Sequence, residues 1–173
     1  MGNSSAREKR AVAVVNMNQI HGTVLFEESG DLVKVIVELS GLPKLGRHNH
    51  GIHIHRLGDM RKGCTSTCTH FNPTGESHGG RNSLIRHVGD LGNIVAVDGQ
   101  VNETFYDHRI SLRGKDSLIG RCVVIHEDDD DLGLGGLDEQ GNVVDEETHR
   151  ESLKTGNAGA RIACAVIGIA ANK

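Results

Sequence analysis

Eight short runs of β-branched and aliphatic residues, each cut off by a turn signal, leave this chain little choice but β-sheet. The clearest runs from Asp31 to Leu39, where Leu32, Val33, Val35, Ile36, Val37 and Leu39 alternate imperfectly with Asp31, Lys34 and Glu38. That pattern suits a half-buried strand and not a helix. The others lie at Ala11–Asn16, Gly22–Glu27, Ile52–His55, Asn93–Val97, Val101–Phe105, Leu118–Glu127 and Arg161–Ala170. Between them stand signals such as Glu28-Ser29-Gly30-Asp31 and Asp98-Gly99, which punctuate strands. No segment of ten or more residues carries a clear 3.6-residue apolar period. With no Trp, one Tyr and three Phe, the core must be built from Val, Ile, Leu and Ala. An all-β fold follows, expected as an eight-stranded Greek-key sandwich or barrel of immunoglobulin-like kind.

Two stretches are too long for tight turns. Arg56–Arg86 is rich in Gly, His, Thr and Ser, and Asp128–Ala160 is rich in Gly and acid. Loops beyond roughly 12–15 residues are usually functional or disordered, and the histidines of the first point to function. The expected organisation is a polar tail over residues 1–10 and one domain over 11–171. That tail is charged and carries no apolar run of the signal-peptide kind, so the expected setting is cytoplasmic. No apolar run approaches the roughly 18 residues of a membrane span. A net charge of −4 argues against nucleic acid, which wants a basic face.

The chemistry is concentrated in the 11 histidines. His53 and His55 sit two apart on an expected strand, so both imidazoles leave the same face, a good geometry for two nitrogens on one metal. His70, His78, His87 and Asp90 follow at spacings of 8, 9 and 3. They suit a tetrahedral site of three nitrogens and one oxygen if the intervening loop folds back. His126 ends the run Cys122-Val123-Val124-Ile125 and is placed to join the first pair across the sheet. His21, His48, His108 and His149 read as surface or hydrogen-bonded residues.

The sequence around these histidines resembles one family closely. His50-Gly51-Ile52-His53-Ile54-His55, Gly63-Cys64-Thr65-Ser66, His70-Phe71-Asn72-Pro73, His78-Gly79-Gly80 and His87-Val88-Gly89-Asp90-Leu91-Gly92-Asn93 are similar to the copper–zinc superoxide dismutases. So are Ile119-Gly120-Arg121, His126-Glu127, Asp130-Asp131-Leu132-Gly133, Lys154-Thr155-Gly156-Asn157-Ala158-Gly159-Ala160-Arg161 and the closing Cys164-Ala165-Val166-Ile167-Gly168-Ile169-Ala170. The resemblance runs in order from about Ala11 to Ala170. It implies copper on His53, His55, His70 and His126, zinc on His70, His78, His87 and Asp90, and His70 shared between the two. It implies further that Asp130 links His53 to His78 beside the metals, that Arg161 holds the superoxide anion, and that Cys64 pairs with Cys164. A homodimer through the Ile119-Gly120-Arg121 region and the C-terminal strand is also implied. Cys68 and Cys122 receive no role.

The chain departs from the family between Leu132-Gly133 and Lys154-Thr155-Gly156. The extra residues, 134–153, hold six acids against one arginine, a net of −5, and Asp128 stands where relatives often carry a guiding lysine. Acid beside the substrate channel should slow an anion and soften the dependence of rate on salt. The alternatives to a dismutase are a metal-storage or zinc-binding module on the same sandwich, which would not need Arg161, and a non-catalytic relative such as the dismutase-like domain of a copper chaperone. Such chaperones carry a separate delivery domain with paired cysteines and tend to lose copper ligands. This chain has neither trait.

Overall fold

The computed structural model describes residues 9–43 and 45–171. Strands run β1 Arg10–Met17, β2 Ile20–Ser29, β3 Leu32–Ser40, β4 Arg47–His55, β5 Arg61–Cys64, β6 Asp90–Val97, β7 Val101–Asp107, β8 Cys122–His126 and β9 Arg161–Ile169. Among the described residues one α-helix, α1, spans Glu146–Thr155. Eight of the strands hydrogen-bond in the order β6-β4-β8-β9-β1-β2-β3-β7, every pair antiparallel. The sheet curls until its two ends, β6 and β7, are joined by a tight turn at Asp98-Gly99, both with positive φ. The result is the nearly closed all-β barrel expected from the sequence. The expected tail falls mostly outside the described residues.

Alternation of burial shows which way each strand faces. In β3, Val33, Val35, Val37 and Leu39 are buried, and in β1 Ala11, Ala13 and Val15. These meet Ile52 and Ile54 of β4, Val123 and Ile125 of β8, and Ala163, Ala165 and Ile167 of β9 in one aliphatic core. Phe26 and Phe71 are its buried aromatics. Because Ile52 and Ile54 point inward, His53 and His55 must point outward. Yet β4 is buried on both faces from His50 to His55. The two long connections fold over its outer face, and the histidines are sealed between barrel wall and loops.

Several boundaries differ from the sequence reading. Strand β4 begins at Arg47, five residues before the predicted Ile52, because its early residues pair with β6 (Arg47↔Val97, His48↔Ala96). Strand β8 is shorter than the predicted Leu118–Glu127; Leu118 and Arg121 instead close a turn. The short β5 and a single 3₁₀ turn over Thr65–Thr67 were hidden in a loop without apolar pattern.

The largest difference is α1, inside the acidic insertion. It has no apolar stripe, and Ser152 is its buried residue. Its signals are at its ends. Asp145 caps the N-terminus by accepting the Glu147 and Thr148 amides, Glu146 and Glu147 lie in the first turn, Lys154 in the last, and Gly156 closes it at φ +68°. Each of these favours a helix by capping or by the helix dipole. Periodicity alone could not reveal it.

Candidate metal centre

Each histidine of the site is fixed by one nitrogen and leaves the other. On β4, His53 donates from Nε2 to Asp130 Oδ2 at 2.8 Å, and His55 from Nδ1 to the Cys68 carbonyl at 2.8 Å. His126, at the end of β8, is held through Nδ1 by the Gly159 carbonyl at 3.2 Å. The remaining atoms, His53 Nδ1, His55 Nε2 and His126 Nε2, are buried without a hydrogen-bond partner. Buried polar atoms are almost always partnered, so several orphaned nitrogens in one place fit a metal-binding donor set. The ligand atoms of His53, His55, His70 and His126 all lie within 4.8 Å of one another.

A second set adjoins it. His78 donates from Nε2 to Asp130 Oδ1 at 2.8 Å. Its Nδ1 lies 3.0 Å from Asp90 Oδ2 without the alignment of a hydrogen bond. Two donor atoms that face a common ion have this relation: a tetrahedron with bonds of ~2.0 Å has edges of about 3.3 Å. His70 Nδ1 and His87 Nδ1 reach Asp90 Oδ1 at 2.8 and 3.1 Å. His53, His70, His78 and Asp90 form the second group of ligand atoms within 4.8 Å. That group contains His53, whereas the sequence reading has His87. With His53 Nε2 engaged by Asp130, only Nδ1 remains to it, and His87 stays in contact with Asp90.

His70 lies between the two sets. Its ring centroid is 4.0 Å from that of His53 and 5.1 Å from His55 on one side, and 5.4 Å from His78 and 5.5 Å from His87 on the other. Asp130 spans the sets from behind with one oxygen on each, and is itself held by Asn93, which exchanges two hydrogen bonds with its backbone.

Burial and neighbouring charge set the protonation of the group. Burial, helped by charge on neighbouring rings, pushes His53 down to about 3 and His55 to about 2. His126 falls to about 4 by burial, and His70 is lowered for the same reason. All four rings are thus held neutral, the form that binds metals. Burial alone would lower His78 too, but the Asp130 and Asp90 carboxylates outweigh it and hold it at about 9. Burial would raise both carboxyls, yet histidine hydrogen bonds keep Asp90 and Asp130 well below the usual carboxylate range.

A cleft of about 640 Å³ opens onto this centre, lined by His55, His70, His126 and Arg161 at its floor and by Glu151 and Lys154 of α1 at its rim. Arg161 donates from Nη1 to the Cys64 carbonyl at 2.8 Å and to Thr67 Oγ1 at 3.3 Å, so the guanidinium is braced from behind. Cys64 and Cys164 form a disulfide, with Cα atoms 5.7 Å apart. It fixes the turn that supplies that carbonyl.

The structure therefore brings together all the candidate residues named from the sequence. Two contributors had no assigned role. His50 is fully buried and donates from Nδ1 to the His126 carbonyl at 2.9 Å. Gly156 lies where a Cβ would stand 2.2 Å from Asp130 Oδ1 and 2.4 Å from His78 Nε2. Both stand within the quoted motifs, which was the available signal. Their roles depend on close approaches that spacing cannot show.

The copper/zinc superoxide dismutase family model matches residues 20–167. A superoxide dismutase [Cu-Zn] of Paramecium bursaria Chlorella virus 1 is 52% identical over 161 residues, covering 92% of this chain and 78% of the viral protein. One from Schizosaccharomyces pombe is 48% identical over 165 residues, covering 93% and 98% respectively. Among solved structures, one titled as the clock protein EA4 superposes with a TM-score of 0.82 at 40% identity, covering 98% of this chain and all of that one.

Proposed function

The chain belongs to the copper/zinc superoxide dismutase family, and from that membership we infer how its buried histidines serve the reaction. The protein is an oxidoreductase that uses copper and zinc to convert two superoxide anions and two protons into oxygen and hydrogen peroxide. One observation carries the residue assignment: the orphaned nitrogens of His53, His55 and His126 converge beside His70, whose other face meets Asp90. We assign copper to His53, His55, His70 and His126, and zinc to His70, His78, His87 and Asp90. Bound copper supplies the one-electron chemistry in both directions, while bound zinc, which has no redox chemistry, supplies charge and shape.

The protein's own residues do the remainder. Asp130 accepts one N–H from His53 and one from His78, fixing both tautomers and ring angles at once. His70 points Nδ1 toward Asp90, which leaves Nε2 for the cleft side; this atom would face copper and, when free of it, would carry the proton destined for peroxide. Arg161 keeps a permanent positive charge at the floor of the cleft and orients the incoming anion. Both of its hydrogen bonds use Nη1, so Nη2 is unengaged. The aliphatic barrel wall behind His53 and His55 and the overlying loops keep bulk water from the rings.

A homodimer is the assembly we propose. It is supported by the exposed apolar side chains Val14 and Val166 on the outer faces of β1 and β9, with Ile169 exposed at the end of β9 and Leu57 just beyond β4 in sequence. No helix among the described residues is long and apolar enough to cross a membrane. The cytoplasmic setting and the single domain over 11–171 stand as proposals, checked by fractionation and limited proteolysis. The direct test of function is to purify the protein, count copper and zinc per chain, and assay superoxide removal with and without chelator. His126→Ala should abolish activity while leaving zinc largely in place. Equal loss of both metals would contradict the assignment of His126 to copper alone.

A further inference from the structure

Between Glu76 and Asp90 the chain carries His78, His87 and Asp90 but, up to Asp90, has no strand or helix of its own. Three arginines hold it. Arg81 lies 3.4 Å over the Phe105 ring of β7 and donates to the Leu91 and Asn93 carbonyls at 2.8 and 3.1 Å. Arg86, fully buried, grips both oxygens of Asp107 at 2.9 and 2.7 Å and donates to the Asp90 carbonyl at 2.7 Å. Arg109, two residues beyond β7, reaches back across the loop. Its Nη1 donates to the Glu76 carboxylate and, at 2.8 Å, to the Arg86 carbonyl, and its Nη2 donates to the Leu84 carbonyl. Asp107 Oδ1 accepts the Arg109 backbone N–H at 2.7 Å, so the clamp is anchored at its root.

The contacts of Arg109 bracket the ligands. Glu76 is two residues before His78, and Arg86 is one residue before His87. One planar guanidinium thus fixes the distance between the backbone segments that deliver these two rings. A lysine, with a single nitrogen, cannot hold three acceptors in that arrangement. The Glu76–Arg109 ion pair is partly exposed, and such pairs add little to global stability. Its effect should therefore be local. A ligand loop shaped in advance need not be ordered by the arriving ion.

We propose that Arg109 is a positioning residue for the zinc half of the centre, holding the loop from Glu76 to His87 in its ion-ready shape before zinc binds. The proposal rests on the zinc assignment made above. Arg86 serves the same end, but removing it would leave the buried Asp107 carboxylate without a counter-ion and risks unfolding, so Arg109 is the residue to test.

The full-length protein, loaded with zinc, is compared with Arg109→Ala and Arg109→Lys. The control is Arg10→Ala, which removes a similar clamp on Glu27 and the Ala171 carbonyl far from the loop in sequence. Zinc transfer to a colorimetric chelator is timed, and amide exchange over residues 77–87 is followed in zinc-free protein. Arg109→Ala should release zinc about tenfold faster and lose exchange protection over 77–87. Arg109→Lys should fall between, and Arg10→Ala should match the parent in both readouts. Unchanged release and protection in Arg109→Ala would overturn the proposal, as would an equal effect from Arg10→Ala. If the parent itself takes up no zinc, the metal assignment fails, while the exchange comparison still decides whether Arg109 orders the loop.

Discussion

At the scale of single residues, the centre depends on groups that touch both halves of it. Gly156 is the sharpest case, because its φ of +68° and its contact with Asp130 and His78 both exclude a side chain. Gly156→Ala should displace the Asp130 carboxylate from His53 and His78 together. The expected result is about 10- to 100-fold weaker retention of both metals, measured by metal content after dialysis against a competing chelator. Protonation gives a second test, in metal-free protein. His53, His55 and His126 have folded values of about 3, 2 and 4, below the ordinary 6.5. Below pH 6.5 the unfolded chain therefore binds more protons than the folded one, and stability falls as pH drops toward 4. His78, held near 9, acts oppositely: its contribution is full below 6.5 and is lost as pH rises through 9. Denaturation midpoints of metal-free protein should therefore peak near pH 6.5, and a flat profile from pH 4 to 9 would contradict these shifts. His53 and His55 were legible because a two-residue spacing on a strand fixes a shared face, whereas the other proposed ligands were legible only through the family resemblance. His50 was not, because what it grips is a backbone carbonyl from another strand.

At the scale of elements, strands were legible and the helix was not. Alternation over Asp31–Leu39 survives in the structure because one face of β3 meets the core. Strand β4 was legible only in its second half, residues 52–55, because residues 47–51 carry no aliphatic alternation and are held by pairing with β6. Helix α1 is read only through its caps. Its folding also revises the expected electrostatic effect of the insertion. Of the six acids, only Glu151 lines the cleft, 3.8 Å from Lys154. Asp138 is turned onto the amides of its own turn, and Asp145 is occupied as the helix cap. Within the insertion, Glu151 is thus the acid placed to act on an anion in the cleft. Glu151→Gln should raise the rate about twofold at low ionic strength. The gain should vanish near 0.15 M salt, where the screening length is about 8 Å. A gain that persists at high salt would point to a contact effect instead.

At the scale of the whole molecule, one covalent link joins the loop before the metal centre to the strand behind it. The Cys64–Cys164 disulfide closes a separation of 100 residues, and closing a loop of that length stabilises a fold by at most about 4.7 kcal/mol. Reduction should lower the denaturation midpoint and loosen the turn that braces Arg161, so activity should fall before the barrel unfolds. Coincident loss of activity and fold would contradict that order. The account as a whole rests on His70 standing between two different ions. Anomalous diffraction from oxidised crystals loaded with both metals, collected across the copper and zinc absorption edges, tests this most directly. The expected map places copper among His53, His55, His70 and His126 and zinc among His70, His78, His87 and Asp90, with a different His70 nitrogen toward each. Two ions with His70 bound to only one of them would contradict the account.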